Sequence, residues 1–72
     1  MRDHHINIFY SDEDACYVAD IPDLRYCSAF GEVPEAALRE VLQAKEAWLS
    51  VARQEGKIIP EPRYRPAIYL SA

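Results

Sequence analysis

The chain has 72 residues, of which 50% are hydrophobic, and its formal net charge is −4. A chain this short forms one small domain, residues 1–72, and buries only about 60% of the surface that it exposes when unfolded. Twelve acidic against eight basic residues exclude the basic footprint of a nucleic-acid-binding protein, so we expect no direct binding to DNA or RNA. An acidic surface instead favours a basic protein as partner.

The first predicted strand covers residues 5–10, where polarity alternates along the chain. A period of two places Ile6, Ile8 and Tyr10 on one face of this strand. The stretch that follows, residues 11–15, is rich in turn formers and acidic groups, which predicts a hairpin loop.

Two further strands are predicted before the helix. Residues 16–20 alternate again and form the second strand. Pro22 and Asp23 then interrupt the pattern, because proline cannot donate to a strand neighbour and aspartate favours turns. The third strand is expected over residues 26–31, which end in a glycine.

The clearest element is a helix over residues 34–55. Pro34 suits the first helical position, Glu35 places negative charge at the positive end of the helix dipole, and Gly56 is a typical residue to end a helix. Apolar residues recur at steps of three and four, so they share one face that we expect to pack on the core. This stripe contains Ala37, Leu38, Val41, Leu42, Ala44, Trp48, Leu49 and Ala52.

Lys45 interrupts the apolar stripe. The commoner arrangement is that its aliphatic stem packs while the ammonium group reaches solvent at the sheet edge. The alternative is an ion pair with a carboxylate, for instance that of Asp20.

The tail contains prolines at three of seven positions from 60 to 66, so it is expected to run extended. Residues 67–70 could form a last strand at a sheet edge. The predicted order is β-β-β-α-β. This is an α+β domain with a three-stranded antiparallel meander, one long helix and a C-terminal edge strand.

No catalytic site is predicted. Both histidines lie in the first five positions, and nothing in the sequence lowers the pKa of either cysteine, so a nucleophile–base pair is not indicated. The acids Asp12, Glu13 and Asp14 share one loop and do not converge with acids from other elements, as metal-dependent hydrolysis requires. We therefore expect a protein that is not an enzyme, and a residual nuclease is rejected on the same ground.

Metal binding and membrane association are also not predicted. Cys16, Cys27, His4 and His5 supply enough ligands for zinc, but their spacing fits no usual zinc pattern. We expect no metal and no cofactor. The sequence shows no secretory signal and no apolar stretch of about 20 residues, so we expect a cytoplasmic protein with free thiols and no membrane contact.

The segment "YSDEDACYVADIPDLRYCSAFGEVPEAALREVLQAKEAWLSVARQEGKIIPEP" resembles the HicB-like antitoxin family. The shared pattern is an acidic hairpin, a "PDL" turn, a cysteine before a short strand, a Gly-x-x-Pro-Glu helix start, a Trp-Leu pair and an "IP-x-P" exit. The matching residues are Tyr17, Pro22, Asp23, Leu24, Cys27, Gly31, Pro34, Glu35, Ala37, Leu38, Trp48, Leu49, Ile59, Pro60 and Pro62.

The resemblance implies a degraded ribonuclease H-like fold without catalysis. It also implies a role, which is to bind and neutralise a small basic HicA-type toxin that cleaves messenger RNA. Many family members carry a C-terminal DNA-binding domain that represses their own operon; we expect no such domain within these 72 residues, and therefore no autoregulation by this chain alone. In addition, Val33 stands where the family has a helix-capping threonine, so we expect Val33→Thr to stabilise the helix.

Two sets of site residues follow. Asp12, Glu13, Asp14 and Asp23 are the candidates for contacting the basic partner, although acidic residues in loops are usually only solvated. In the alternative, the protein is a self-associating module without a toxin. Its interface would then use Tyr10, Tyr17, Tyr64 and Tyr69, because aromatic residues are enriched at interfaces.

A homodimer or higher homo-oligomer is expected under either reading. The turn-rich stretch from Ile21 to the helix is interpreted as a frame for a binding surface. Inside it, we expect Leu24, Tyr26, Phe30 and Leu38 to pack together.

Overall fold

The computed structural model describes residues 3–69 and shows a three-stranded sheet followed by one helix. The elements are β1 (Asn7–Ser11), β2 (Cys16–Asp20), β3 (Ser28–Gly31), α1 (Pro34–Gln54) and a short 3₁₀ helix (Ala67–Tyr69). The sheet order is β1-β2-β3 with both pairs antiparallel. The predicted α+β class and the meander are confirmed.

The register of the sheet sets which cross-strand neighbours lie on the face toward α1 and which lie on the opposite face. Ala19 pairs with Ile8 on β1 and with Ala29 on β3, and this face packs against α1. Val18 pairs with Phe9 and Phe30 on the opposite face, which α1 does not cover. The core therefore lies between the first face and the helix, and α1 lies mainly over β3 and β2 rather than β1.

The loop between β2 and β3 supplies half of the central core. Ile21, Leu24 and Cys27 are almost fully buried, together with Ala19 on β2 and two residues of α1. Three backbone hydrogen bonds fix the loop: from the Leu24 N–H to the Ile21 carbonyl, from Cys27 to Leu24, and from Ile21 to Cys27, at 3.0–3.1 Å. These bonds make two successive turns, which aim every third side chain inward.

The packing predicted for the frame is correct for Leu24 and wrong for three other residues. Tyr26 is 92% exposed because its backbone has φ of +62°, which turns the side chain outward. The same turn delays the third strand, which begins at Ser28 and not at Tyr26. Phe30 is exposed because it lies on the face opposite α1. Leu38 is 37% exposed because it lies on an outward face of α1, beside Glu35 and Leu42.

The ends of α1 follow the predicted signals to within one residue. Val33 is the N-cap residue, and its side chain makes no capping hydrogen bond. At the other end Gly56 has φ of +68°, and the N–H groups of Gly56 and Lys57 donate to the carbonyls of Arg53 and Ala52. This is a Schellman motif, which satisfies carbonyl groups that the helix leaves unpaired.

Lys45 combines the two predicted arrangements, because its aliphatic stem is packed and its ammonium group forms an ion pair. Its side chain is only 14% exposed, so the stem is packed, and its Nζ lies 2.5 Å from Oδ1 of Asp3. The ion-pair partner is therefore Asp3 and not Asp20. Because the Lys45 ammonium donates this hydrogen bond, the pKa of the Asp3 carboxyl is lowered, with a further contribution from the His4 backbone N–H.

The prediction of a C-terminal edge strand is wrong for the residues that the structure describes. Residues 67–69 form the 3₁₀ helix, closed by the Tyr69 N–H donating to the Pro66 carbonyl at 2.9 Å, and Leu70 lies outside the described residues. Prolines remove the backbone donors that a strand needs. The tail is instead attached to Asp23, whose Oδ2 accepts from the backbone N–H groups of Arg63 and Tyr64.

Candidate partner-binding surfaces

One end of the sheet carries five exposed carboxylates. The hairpin turn between β1 and β2 lies at this end, and the pairing of Tyr17 with Gly31 brings the exit of β3 and the start of α1 beside it. We call this region the acidic end, and it consists of Asp12, Glu13, Asp14, Glu32 and Glu35, all exposed. Sequence reasoning identified the three turn residues and missed that the sheet register adds Glu32 and Glu35.

The hairpin turn holds its acidic residues in a defined position. The Ser11 hydroxyl donates to Oδ2 of Asp14 at 2.8 Å, and the Asp14 N–H donates to the same hydroxyl at 3.2 Å. Within residues 3–69, the carboxylates of Asp12 and Glu13 have no hydrogen-bond or ion-pair partner. These two carboxylates are therefore free to meet a cationic partner.

Asp23 does not lie with the acidic turn. It follows the far end of β2, a strand of five residues, so the length of the strand separates it from Asp12 to Asp14. Its Oδ2 is 3.0 Å from the backbone nitrogens of both Arg63 and Tyr64. The structure thus gives Asp23 an intramolecular role, which is to attach the tail to the loop.

Of the four predicted interface tyrosines, Tyr10 and Tyr17 pack on each other, whereas Tyr64 and Tyr69 each pack on a different residue. Tyr10 and Tyr17 are cross-strand neighbours at the acidic end, with ring centroids 5.2 Å apart in an edge-to-face arrangement. Tyr64 packs on the His5 ring, with ring centroids 4.6 Å apart. Tyr69 is the last residue of the 3₁₀ helix, and the Arg65 guanidinium lies over its ring. Only Tyr10 and Tyr17 belong to the sheet, whereas Tyr64 and Tyr69 lie in the tail. Their role in an oligomer interface stays a prediction.

A second surface surrounds the exposed Tyr26. The loop and the C-terminal half of α1 enclose a groove of about 670 Å³, whose floor includes Trp48 and small alanine side chains. The Trp48 Nε1–H donates to the Arg25 carbonyl at 3.0 Å, which joins the loop to the helix. Sequence reasoning assigned Tyr26 to the interior. No periodic pattern signals a left-handed residue inside a turn, so this surface was not predicted.

Sequence comparison gives one informative relative. The chain is 34% identical over 53 residues to the UPF0150 protein ssl0259 of Synechocystis sp. (strain ATCC 27184 / PCC 6803 / Kazusa), and the match covers 74% of this chain and 73% of the relative. The chain belongs to the UPF0150 family. The relative's name states this family and no activity. No protein-family model matches the chain, and no solved structure matches it.

The two thiols of this UPF0150 family member are free and differ in exposure. Cys16 is half-buried on the uncovered face of the sheet, and Cys27 is buried in the core. Burial raises the pKa of the Cys27 thiol, the negative charge of Asp20 raises it further, and Lys45 opposes this with a smaller effect. A raised pKa keeps the thiol protonated, which makes Cys27 a poor nucleophile and a poor metal ligand.

Two further findings concern the part of the UPF0150 chain that the structure describes. Between Asp3 and Tyr69, no three His, Cys, Asp or Glu side chains lie close enough together to hold a metal ion. Over the same range, the structure contains no helix with the length and apolar character needed to cross a membrane.

Proposed function

We propose that this chain is a non-catalytic, antitoxin-like protein of the cytoplasm that binds and neutralises a small basic HicA-type toxin that cleaves messenger RNA. The observation that supports this proposal most directly is the acidic end. Five exposed carboxylates from a turn, a strand exit and a helix start lie on one end of a small domain whose net charge is −4. The resemblance of about residues 6 to 70 to HicB-like antitoxins suggests the identity of the partner.

The mechanism that we propose is coverage of the toxin's RNA-binding surface. A ribonuclease must attract a polyanion, so its active surface is basic, and a fixed cluster of carboxylates competes for that surface. Complementary charge speeds the encounter and selects the partner. The Ser11–Asp14 hydrogen bonds keep the turn in one conformation, which lowers the entropy lost on binding.

Charge alone does not give tight binding, because exposed ion pairs contribute only about 0–1 kcal/mol each. Aromatic side chains at the centre of an interface usually contribute most of the affinity. Tyr10 is 52% exposed and lies on the hairpin arm next to the turn, in edge contact with Tyr17. We therefore propose Tyr10 as the apolar contact beside the acidic residues.

The second candidate function is a self-associating UPF0150 module without a toxin partner. The exposure of Phe9, Tyr10 and Phe30, each between 51% and 56%, favours it. Large aromatic residues grouped at the surface mark interaction sites. The two functions are separated by the identity of the protein that co-purifies with this chain.

The first test is a tagged pull-down from native lysate at low and at high salt, followed by mass spectrometry. The proposal predicts a small basic protein that is retained at low salt and weakened at high salt, because salt screens exposed charges. The variant Asp12→Asn/Glu13→Gln/Asp14→Asn should lose this protein. A control with the same change in charge, Glu40→Gln/Glu46→Gln/Glu61→Gln, alters exposed acids elsewhere and should retain it.

Recovery of this chain alone at both salt concentrations would contradict the antitoxin proposal. Equal loss of the basic protein in both triple variants would also contradict it, since the effect would then follow total charge and not the acidic end.

A further inference from the structure

The groove beside Tyr26 is large enough to hold a small molecule. One wall is the loop from Arg25 to Cys27, and the other is the C-terminal half of α1, which contributes Trp48, Val51 and three alanines. The volume of about 670 Å³ lies within the range of about 300–1,000 Å³ that is usual for small-ligand sites. The groove therefore has the size of a ligand site, and its lining decides which class of ligand it fits.

The walls of the groove are fixed to each other in the free protein. The indole N–H of Trp48 donates to the Arg25 carbonyl at 3.0 Å, which joins the helix wall to the loop wall. Leu24 and Cys27 anchor the loop, since both are buried in the core. The three alanines of α1 are too small to fill the space between the walls. A site that is formed in advance loses little entropy when a ligand binds.

Most of the groove surface is apolar, and two of its side chains are aromatic. Tyr26 and Val51 both leave apolar surface in water at the groove. The single donor of Trp48 is already used by the Arg25 carbonyl, so the indole offers a ligand only its ring surface. Aromatic rings pack favourably on one another in offset or edge-to-face arrangements. The lining therefore favours a ligand that contains an aromatic ring.

The groove carries one positive charge that no carboxylate neutralises. Of its three charged side chains, Lys57 and Glu55 pair with each other, with 2.9 Å between Nζ and Oε1. Within residues 3–69, the Arg25 guanidinium forms no ion pair, and it lies 5.8 Å from the centroid of the Tyr26 ring. A guanidinium can bind a carboxylate through two parallel N–H···O hydrogen bonds. A chain of net charge −4 thus presents, at this groove, a cation that suits a carboxylate.

We propose that the groove binds a small aromatic carboxylic acid. The ring of the ligand packs against Tyr26 and Trp48, and its carboxylate binds the Arg25 guanidinium. A small molecule fits better than a protein partner, because stable protein contacts bury about 800 Å² on each side and the groove walls expose much less than that.

This ligand site is separate from the acidic end. Glu35 of the acidic end and Trp48 of the groove both lie on α1, and the helix rises about 20 Å between them. A small molecule in the groove therefore does not occupy the surface proposed for the toxin. Ligand binding can be tested without a toxin, so either proposal can fail while the other stands.

The experiment is a titration of the wild-type chain with hydrocinnamate, followed by the fluorescence of Trp48, which is the chain's single tryptophan, and by amide chemical shifts in NMR spectra. Hydrocinnamamide has the same shape without the charge, and butyrate keeps the carboxylate without the ring. We expect hydrocinnamate to bind at least tenfold more tightly than either, because only hydrocinnamate uses both the rings and the guanidinium. Shifts should concentrate at residues 25–27 and 44–52 and be absent at residues 12–14.

Two pairs of variants locate the site. Arg25→Gln should weaken hydrocinnamate binding at least tenfold and leave amide binding unchanged, whereas the control Arg39→Gln removes an exposed arginine outside the groove and should change neither. Ala47→Leu fills the groove and should abolish binding of both compounds. Its control, Ser50→Leu, adds the same side chain to an exposed position outside the groove and should preserve binding. Circular dichroism checks that each variant is folded.

Several results would overturn the proposal. A wild-type chain that shows no saturable binding of hydrocinnamate excludes the site. Equal affinity for the acid and its amide, or equal loss in the two arginine variants, excludes Arg25 as the partner of the carboxylate. Binding that survives in Ala47→Leu excludes the groove.

A peptide that ends in phenylalanine distinguishes a protein chain from a small molecule, because it carries the same ring and carboxylate. The proposal predicts that this peptide binds no more tightly than hydrocinnamate. Peptide binding that is at least tenfold tighter would contradict the small-molecule assignment and identify the end of a protein chain as the occupant.

Discussion

Tyr26 shows how a single backbone angle decides where a side chain lies. Its φ of +62° is in the left-handed region, which costs residues other than glycine about 1–2 kcal/mol. The conformation is required because the turn from Leu24 to Cys27 returns both of those side chains to the core. Tyr26 is consequently exposed next to the groove, with the Arg25 guanidinium 5.8 Å from its ring centroid.

A comparison of two substitutions isolates the cost of this angle. Tyr26→Gly should be more stable than Tyr26→Ala by about 1 kcal/mol, because both variants remove the same ring and only glycine accepts a positive φ freely. Urea denaturation followed by circular dichroism gives the difference. Equal stability of the two variants would show that the backbone at residue 26 is not left-handed in solution.

The ion pair between Asp3 and Lys45 makes the free energy of unfolding depend weakly on pH in the acidic range. The folded-state pKa of Asp3 lies below its ordinary value of 3.8, so the pair stabilises the fold above that pH and the contribution is lost as pH falls through the lowered pKa. Asp3→Asn should therefore reduce stability slightly at neutral pH, since Asp3 is largely exposed, and should match the wild type in strong acid.

The measurement is thermal unfolding of the wild type, Asp3→Asn, Lys45→Gln and the double variant at neutral and at acidic pH. Coupling between the two sites should be present at neutral pH and absent in acid. Coupling that persists unchanged in acid would contradict the ion pair.

At the scale of elements, the start of α1 lacks a side-chain cap and packs closely against the end of β3. The N-cap residue Val33 has the extended backbone that a cap requires, at φ −131° and ψ 160°, but its side chain cannot accept a hydrogen bond. Gly31, two residues earlier, approaches the helix backbone so closely that an added Cβ would stand 2.3 Å from the Ala37 nitrogen. Packing at Gly31 therefore positions a helix start that lacks a polar cap.

Replacing the cap residue should strengthen the helix. Val33→Thr is expected to raise the free energy of unfolding by about 1 kcal/mol, because the threonine hydroxyl can accept from the first unpaired N–H groups. Val33 is 50% exposed, so little apolar burial is lost. Val33→Ala is the control and should bring no gain in the urea midpoint. A midpoint for Val33→Thr at or below that of the wild type would refute the capping assignment.

Gly31→Ala should destabilise the domain by about 1–3 kcal/mol, because the new Cβ meets backbone atoms of Ala36 and Ala37 that cannot move aside cheaply. Ser28→Ala is the control in the same strand, since Ser28 is exposed and its loss should stay within about 0.5 kcal/mol. Chemical denaturation of both variants measures the contrast. A Gly31→Ala variant as stable as Ser28→Ala would mean that the helix start lies further from β3.

The regular elements could be predicted because each has a local signal. Alternation marked β1 and β2, and proline and glycine marked the two ends of α1. The tail could not be predicted, because its conformation depends on one carboxylate, that of Asp23, which accepts from two backbone N–H groups about forty residues away along the chain. The position of Asp3 opposite Lys45 is equally non-local.

At the scale of the whole molecule, the sheet determines which of the predicted site residues lie close together. Asp12, Glu13 and Asp14 remain together because they are consecutive, and Asp23 is separated because β2 lies between. Glu32 and Glu35 join the acidic end only through the pairing of β2 with β3, which spacing in the sequence does not reveal. The part of the acidic end that is consecutive in sequence was thus predictable, whereas the part that depends on the register between β2 and β3 was not.

The most direct test of the antitoxin proposal is an RNA-cleavage assay. The basic protein that co-purifies with this chain is purified, mixed with messenger RNA, and titrated with the wild-type chain or either triple variant. The proposal predicts that cleavage stops at one wild-type chain per toxin, that the Asp12/Glu13/Asp14 variant needs at least tenfold more, and that the Glu40/Glu46/Glu61 variant matches the wild type. Cleavage that continues in excess wild-type chain would contradict the proposal.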